Sequence, residues 1–533
     1  MNRKLFLALT AICTLPVAAR ETSERDNITK RDACTSILCG RNATKDHSVI
    51  TSHTCDSWYR TWMNMQLAQD FKNDTTIAIM DGTMHTEFSD DESGTWTRGY
   101  IPQPKGHAYR YLNTAYPCLN EHQLAMGETT FGGREELQNK DGLFMIEELA
   151  RVAMMRCTKA KDAVRLMGSL AEKYGYGDGG ECLTVADTEE AWIFEIMGAG
   201  KKKKGAVWAA IRIPDDEICI SANVSRIDKV DIMDTANCMA SKNVYTLAKE
   251  MKWWDGKEVF SFWRAYSGGN YFNEPKNYSV RELYIMQQLA PSRHFTDSTT
   301  NLPLSVRPDT LVDVQRVSDL LASYYKGTDQ NLSARLKVPN TKKKNPEDPD
   351  SIISVKANPW MQPDEMAVYH ALGDSAMQNI RTVSVSWCAY STVIQLRSWL
   401  PDAIGGVAWI ALDNPGESPR FPVFAGCTEL PRMLRICGQH RDRDDAALTH
   451  FRHANRLATV RWGKTCDMIV KAKQHYMQKG LIELPQLEVT WKATPEAEQT
   501  DLLNDYTADF LGAEISRWDD LAHRFWRMLW VGF

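Results

Sequence analysis

The alternation of apolar and polar residues starts late in this chain and then changes period several times. Residues 35–39 and 48–53 are short apolar-rich runs separated by an Asn/Lys/Asp turn, and they read as two strands. Residues 56–106 are polar and aromatic with Gly and Pro, an excursion near the first strands. Strand patterns resume at 108–112 and 123–127, around the turn Cys118-Leu119-Asn120-Glu121. Helical spacing follows: Leu143, Ile146, Leu149 and Ala150, then Ala163, Val164, Met167, Leu170 and Ala171. Tyr174-Gly175-Tyr176-Gly177 ends that pair. Strands return at 182–186, 191–196, 206–211 and 217–222, with Asp187-Thr188-Glu189-Glu190 as a hairpin turn and Lys201 to Lys204 as a solvated loop. Hairpin-linked strands with a helix pair inserted predict an α+β fold, an antiparallel sheet covered by helices.

Further on, 228–251 and 311–325 read as helices, and 252–306 as irregular and rich in Trp, Tyr and Asn. Residues 337–350 form a polar loop. Strand patterns at 382–385 and 407–412 flank the block Gln395-Leu396-Arg397-Ser398-Trp399-Leu400-Pro401, and from about 442 the pattern is mostly helical. No internal repeat is evident. The start differs from all of this. Asn2-Arg3-Lys4, an apolar run from Leu5 to Leu15 and Val17-Ala18-Ala19 read as a signal peptide over 1–19. Residues 20–33 are charged and aperiodic and read as a pro-segment. An exported protein, periplasmic or extracellular, is expected.

Composition narrows the classes. The 533 residues are 43% hydrophobic and 10% aromatic, which is ample for a large core, and the net charge of −5 shows no basic face for nucleic acid. No later run is long and apolar enough for a membrane span. Of 13 Cys, Cys13 leaves with the signal, and the rest are scattered without CxxC or metal-type spacing, so most are expected as small buried hydrophobes. No metal or cofactor is expected. Self-association into a homo-oligomer stays open. Asn-x-Ser/Thr sequons occur at Asn27, Asn42, Asn73, Asn223, Asn277 and Asn331.

Cys34 is the first candidate for chemistry. Once the peptide bond before it is cut, its α-amine, ordinarily titrating at about 7.7–8.0, can take the thiol proton and later return it to a leaving amine. In the precursor that nitrogen is an amide and cannot act as a base. A structural cysteine and a lipid-anchored one are the alternatives. His53 and Asp56 close the next strand and could orient the amine or hold a substrate amine. The run Gly127-Glu128-Thr129-Thr130-Phe131-Gly132-Gly133-Arg134 could offer backbone N–H groups to an oxyanion, and Asn223 an amide.

These blocks, taken in order, resemble a known family. Ala33-Cys34-Thr35-Ser36-Ile37-Leu38 with Asp46 to Asp56, Asn120-Glu121, and Gly127 to Thr130 with Gly132-Gly133-Arg134 are similar to the PepD-type cysteine dipeptidases. So are Tyr174 to Gly177, Gly180-Glu181, Ala186-Asp187, Glu190-Ala191-Trp192, Glu195-Ile196, Ala222-Asn223 with Arg226-Ile227, Arg381 to Ser384, Gln395 to Pro401 and Ile404 to Gly406. These are N-terminal-nucleophile hydrolases, similar to secernins and more distantly to bile-salt hydrolases and penicillin V acylases. The resemblance implies a four-layer αββα sandwich over 34–430, with a helical extension, 431–533, packed on the same domain. It implies a small peptide substrate, Cys34 as nucleophile, Asp56 against its amine, and Asn223 with the Thr129–Thr130 backbone as oxyanion hole. His53 falls where bile-salt hydrolases carry an arginine. Substrate contacts are expected from His53, Glu128, Thr129, Arg226, Arg381 and Arg397. The family's second arginine is left among Arg307, Arg381 and Arg397. An N-acyl amide hydrolase and a non-catalytic binding protein on the same scaffold are the rival readings.

Overall fold

The computed structural model describes residues 34–268, 276–371 and 380–530; the expected signal and pro-segment, 1–33, lie outside them. Two antiparallel sheets form the centre. In chain order their strands are β1 (Ser36–Cys39), β2 (Val49–Cys55), β3 (Asn64–Gln66), β4 (Tyr111–Asn113), β5 (Leu119–Asn120), β6 (Ala125–Gly132), β7 (Gly180–Ala186) and β8 (Ala191–Gly198). They continue as β9 (Ala206–Ile213), β10 (Ile218–Ser221), β11 (Cys238–Ala240), β12 (Ser305–Val306), β13 (Tyr390–Leu396), β14 (Val407–Leu412) and β15 (Phe421–Phe424). One sheet runs β12-β10-β1-β2-β13-β14-β15, the other β11-β9-β8-β7-β6-β5-β4-β3. The α+β reading holds, with antiparallel sheets and a helical C-terminal region.

Polar side chains join the two sheets where β2 crosses β6. The hydroxyls of Thr51 and Thr184 meet at 2.8 Å, Ser36 Oγ donates to the Glu128 carbonyl at 3.1 Å, and Thr129 and Ser221 pair at 2.5 Å. This explains a strand such as β2, Val-Ile-Thr-Ser-His-Thr-Cys, which is buried along its whole length and yet half polar. Each buried hydroxyl has a partner on the facing sheet or the next strand, so its desolvation is compensated. Gly127 marks the closest approach. A Cβ there would stand 2.3 Å from the Ser52 carbonyl oxygen and 2.8 Å from Thr184 Oγ1. Gly127→Ala is therefore expected to destabilise the fold by about 1–3 kcal/mol through overpacking against backbone that cannot yield. An unchanged midpoint in urea unfolding would contradict this close packing.

Helices cover the sheets. α1 (Ile146–Arg156) and α2 (Ala160–Tyr174) lie on the second sheet, where Gly168 sits against the Trp208 ring and Trp208 Nε1 donates to Glu172 at 2.8 Å. α3 (Val280–Leu289) and α4 (Val314–Leu321) approach the first sheet. α5 (Ala447–Thr459), α6 (Trp462–Ala493) and α7 (Glu496–Trp530) also pack on the first sheet: Thr507 Oγ1 donates to the Pro422 carbonyl at 3.0 Å, and Gly480 meets the Trp409 ring. One continuous hydrophobic core runs from Ile37 to Phe525 through both sheets and these helices. No helix among the described residues is long and apolar enough to cross a membrane.

Three local expectations change. Residues 228–251 are not one helix; they hold β11 and a short turn of helix at Thr246–Glu250. Asp231 and Asp234 accept from the backbone N–H groups of Met233 and Asn237, an alternative to helical bonding that short acidic side chains favour. Residues 382–385 are irregular, and the strand lies at β13. The excursion 56–106 contains a ribbon, Thr76–Asp81 with Trp96–Pro102. The twelve cysteines from Cys34 onward are free thiols, and eleven of them are buried.

Candidate active site

The two first strands keep one register toward Cys34, ending in a bridge at Thr35↔Thr54. They pair at Cys39↔Ile50 and Leu38↔Thr51. One step on, the Ile37 N–H donates to Ser52 Oγ at 2.8 Å, and that hydroxyl donates back to the Ile37 carbonyl at 3.0 Å. The Thr35 N–H donates to Thr54 Oγ1 at 2.9 Å, while the Thr54 N–H donates to the Thr35 carbonyl at 3.0 Å. Side-chain hydroxyls stand in for some ladder bonds, backbone pairing returns at Thr35↔Thr54, and Cys34 stands in the gap beyond it, 2% exposed. Burial, with Glu128 beside it, pushes the Cys34 thiol well up, so the sulfur keeps its proton until a base removes it.

One side of this gap is held by arginines. Thr54 Oγ1 donates to Asp56 Oδ2 at 3.0 Å, and Arg381 Nη2 donates to the same oxygen at 2.6 Å. Among the described residues Asp56 Oδ1 is buried without a hydrogen-bond partner. Arg281, on the first turn of α3, is fully buried and reaches four acceptors. Nη1 donates to the Cys34 carbonyl at 2.7 Å and to Thr35 Oγ1 at 2.9 Å; Nη2 donates to the Ala222 carbonyl at 3.0 Å and to Asn223 Oδ1 at 2.6 Å. Burial lowers its guanidinium to about 10, which still leaves it charged. Asn223 has φ 64°, a left-handed conformation that Asn tolerates better than most residues. With Oδ1 held by Arg281, its Nδ2 points across to the Thr130 carbonyl, donating at 2.6 Å. The amide has a second N–H left to give.

The other side is acidic. His53 Nδ1 lies 2.8 Å from the Glu128 carbonyl and 3.3 Å from the Glu128 N–H; the shorter contact favours the neutral tautomer with Nδ1–H donating, and Nε2 has no partner among the described residues. Burial holds its titration down at about 4, and Tyr116 packs edge-on against the ring at 5.4 Å. Burial pushes Glu128 up to about 7 and Glu181, its neighbour on β7, well above the usual carboxylate range. Thr130 Oγ1 donates to Glu128 Oε1 at 3.1 Å. Cys34 Sγ, a ring nitrogen of His53 and a carboxylate oxygen of Glu128 lie within 4.8 Å of one another, a Cys/His/Glu donor set of the kind zinc accepts.

The structure thus brings together Cys34, His53, Asp56, Glu128, Thr129, Thr130, Asn223 and Arg381. Thr129 faces Ser221 through its hydroxyl, and the β6 register breaks between Thr130 and Gly132. Arg226 lies close in sequence to Asn223 but behind it: its guanidinium bonds the Asn277 and Pro303 carbonyls and stands 3.8 Å from Glu282. Arg397 is at the far end. It follows Leu396, which pairs with Val49, whereas Tyr390 pairs with Cys55, so about 20 Å of strand separates Arg397 from Asp56. It binds Glu488 and the carbonyls of Ile404 and Gly405. Arg307 is exposed and pairs with Asp216. Arg381 is therefore the arginine of the three candidates that reaches the site. The sequence assigns Arg281 no role, and Glu181 appears in it only within the family block Gly180-Glu181. Arg281 carries one local signal, the capping box Ser279-x-x-Glu282 that starts its helix, and this says nothing of where the arginine points. A cavity of about 420 Å3 lined by Arg60, Tyr109, Tyr111, Glu147 and Arg151 does not include Cys34.

The peptidase family C69 model matches residues 33–475. A probable dipeptidase of Latilactobacillus sakei is 23% identical over 417 residues, 76% of this chain and 76% of that protein. A probable dipeptidase of Salmonella dublin is 28% identical over 310 residues, 57% of this chain and 61% of that protein. Probable dipeptidase B of Streptococcus pyogenes serotype M1 is 22% identical over 501 residues, 90% of this chain and 86% of that protein.

Proposed function

Since the chain belongs to peptidase family C69 and is a peptide-bond hydrolase, we propose that it is an exported dipeptidase whose nucleophile is Cys34 at the start of the mature chain. One observation carries the reading. Among the described residues Asp56 Oδ1 is buried without a hydrogen-bond partner closer than the neighbouring Cys388 thiol, and the Asp56 backbone N–H reaches the Cys34 sulfur. A buried carboxylate oxygen left bare is costly. A free α-ammonium on Cys34 supplies the donor it lacks. The leader-like residues 1–19 and the aperiodic 20–33 support export followed by a second cut. The two sheets pressed together with helices outside them support an N-terminal-nucleophile αββα sandwich.

The chemistry then follows from the residues. The Cys34 α-amine takes the thiol proton, and the thiolate attacks the scissile carbonyl carbon. The second N–H of Asn223 Nδ2 stabilises the oxyanion, with a backbone N–H of the Thr129–Thr130 strand as the other donor. Collapse breaks the C–N bond, and the α-ammonium gives its proton to the departing amino acid. Water, deprotonated by the same amine, resolves the thioester. Arg281 pins the Cys34 carbonyl and the Asn223 amide in one frame. Arg381, braced by Asp56, is the group on hand for a substrate carboxylate.

The test is the mature N-terminus. Secreted protein that hydrolyses dipeptides is expected to begin at Cys34 by intact mass. A purified form retaining residues 20–33 is expected to show no dipeptide hydrolysis until the segment is removed. Full activity in that retained form would sink the mechanism, because its Cys34 nitrogen is an amide. An acylase on the same scaffold needs apolar room beside the nucleophile, where Glu128 stands.

A further inference from the structure

A lysine and an arginine meet without a paired carboxylate beneath the helices that cover the first sheet. They line a cavity of about 210 Å3 between α4, the loop 415–420 and α6, with Ser318, Asp319 and Lys326 also in its wall. Arg420 is 4% exposed, and among the described residues its guanidinium donates to neutral oxygens: the Ser391 carbonyl at 2.9 Å, Ser391 Oγ at 2.8 Å and the Trp409 carbonyl at 3.1 Å. Lys473 Nζ donates to the Pro415 carbonyl at 2.5 Å, which leaves two of its three N–H groups to give.

A fold keeps cations out of water where something balances them. The carboxylates at hand do this poorly. Asp319 is exposed and accepts from Gln315 at 2.9 Å. Glu417 is buried, and burial pushes it up to about 8, so it is mainly protonated at neutral pH. Burial, with Arg420 nearby, pulls Lys473 down to about 7, and Asp319 and Glu417 oppose that shift without cancelling it. The independent sign of a ligand is Ser318. It lines the same cavity from α4, it is 6% exposed, and its hydroxyl has no hydrogen-bond partner among the described residues. A serine within a helix often returns its hydroxyl to a carbonyl one turn back; this one does not. Spare donors on two cations and a hydroxyl around one small space call for a single acceptor with several lone pairs.

We propose that this cavity is a binding site for one small oxyanion, a carboxylate or inorganic phosphate, held by Lys473, Arg420 and Ser318. The site is separate from the one around Cys34, yet its wall reaches the same strand. Arg420 grips Ser391, Ser391 pairs with Thr54 across β13 and β2, and Thr54 Oγ1 donates to Asp56.

Equilibrium dialysis of the purified protein against labelled acetate and, separately, labelled orthophosphate at fixed ionic strength is the test. One equivalent per chain is expected from at least one of the two, and the anion that binds assigns the ligand class. Lys473→Met is expected to weaken that binding by about tenfold or more, and Ser318→Ala by about two- to tenfold, the losses of a charged and of a neutral hydrogen bond. Ser318→Ala breaks no bond within the fold, so it keeps the proposal testable should Lys473→Met unfold. Acetate holds its charge between pH 6 and pH 8. If acetate is the ligand, its binding should weaken about tenfold over that range as Lys473 loses its proton. Arg381→Met, at the catalytic site, is expected to keep the bound equivalent. Saturable binding of neither anion overturns the proposal, as does binding that both cavity variants leave unchanged. Binding lost in Arg381→Met but kept in Lys473→Met overturns it too, since the anion then sits beside Asp56.

Discussion

Cys34→Ala is expected to abolish dipeptide hydrolysis, with kcat falling by about 10^4-fold or more, the scale seen when a covalent nucleophile is removed. The variant removes a side chain that is 2% exposed and whose sulfur bonds only the Asp56 N–H and the Glu128 carboxylate among the described residues, so folding is expected to survive. Unfolding curves check that point. Cys34→Ser keeps the shape and the α-amine but replaces the thiol with a poorer nucleophile, and it should retain only a trace of activity. A chelator is expected to leave the wild type unaffected. Should Cys34→Ala keep more than a small fraction of wild-type kcat on a mature chain, another group is the nucleophile.

Arg281→Met is expected to lower kcat by about 10^2-fold with KM nearly unchanged, close to the loss expected for Asn223→Ala, because both remove the same oxyanion donor. Arg281 reaches it from a distance of 247 residues in sequence from Cys34, holding Asn223 Oδ1 with one arm and the Cys34 carbonyl with the other. The two changes together should cost little more than either alone, since residues that act through one group are not additive. Arg281→Lys should not rescue, because an ammonium cannot fork to four acceptors on two sides. Stability is also expected to fall, by about 1–3 kcal/mol for each buried acceptor left bare. Steady-state kinetics on soluble, folded variants separates the two effects. Full kcat in Arg281→Lys would remove the positioning role.

Arg281 also shows why part of the site was illegible. No spacing rule connects a helix residue to a carbonyl at the start of the chain. The family resemblance instead spread a substrate-binding role over Arg226, Arg381 and Arg397. Arg226 and Arg397 are buried arginines whose guanidinium groups are held by carbonyls and carboxylates. A run such as Gln395 to Pro401 looks the same whether its arginine serves a substrate or a helix junction. Strand β13 was missed for a related reason. All seven of its residues are buried, so it shows no alternation of apolar and polar positions. Residues 228–251 have helical spacing, but their aspartates prefer to bond the local backbone.

What the sequence determined by itself is whatever rests on local pattern. The hairpins from Gly180 to Ser221 and the long C-terminal helices follow from periods of two and three to four, and a cysteine followed by a short strand, a Gly-Glu-Thr-Thr run and a strand-end Asn could be named from their order. Only the tertiary structure decided which charges meet. It placed Asp56 on Arg381, Arg281 on both Cys34 and Asn223, and Glu181 against Glu128. Burial and charge pairing depend on contacts between segments hundreds of residues apart, and those contacts exist only once the two sheets have closed on Gly127.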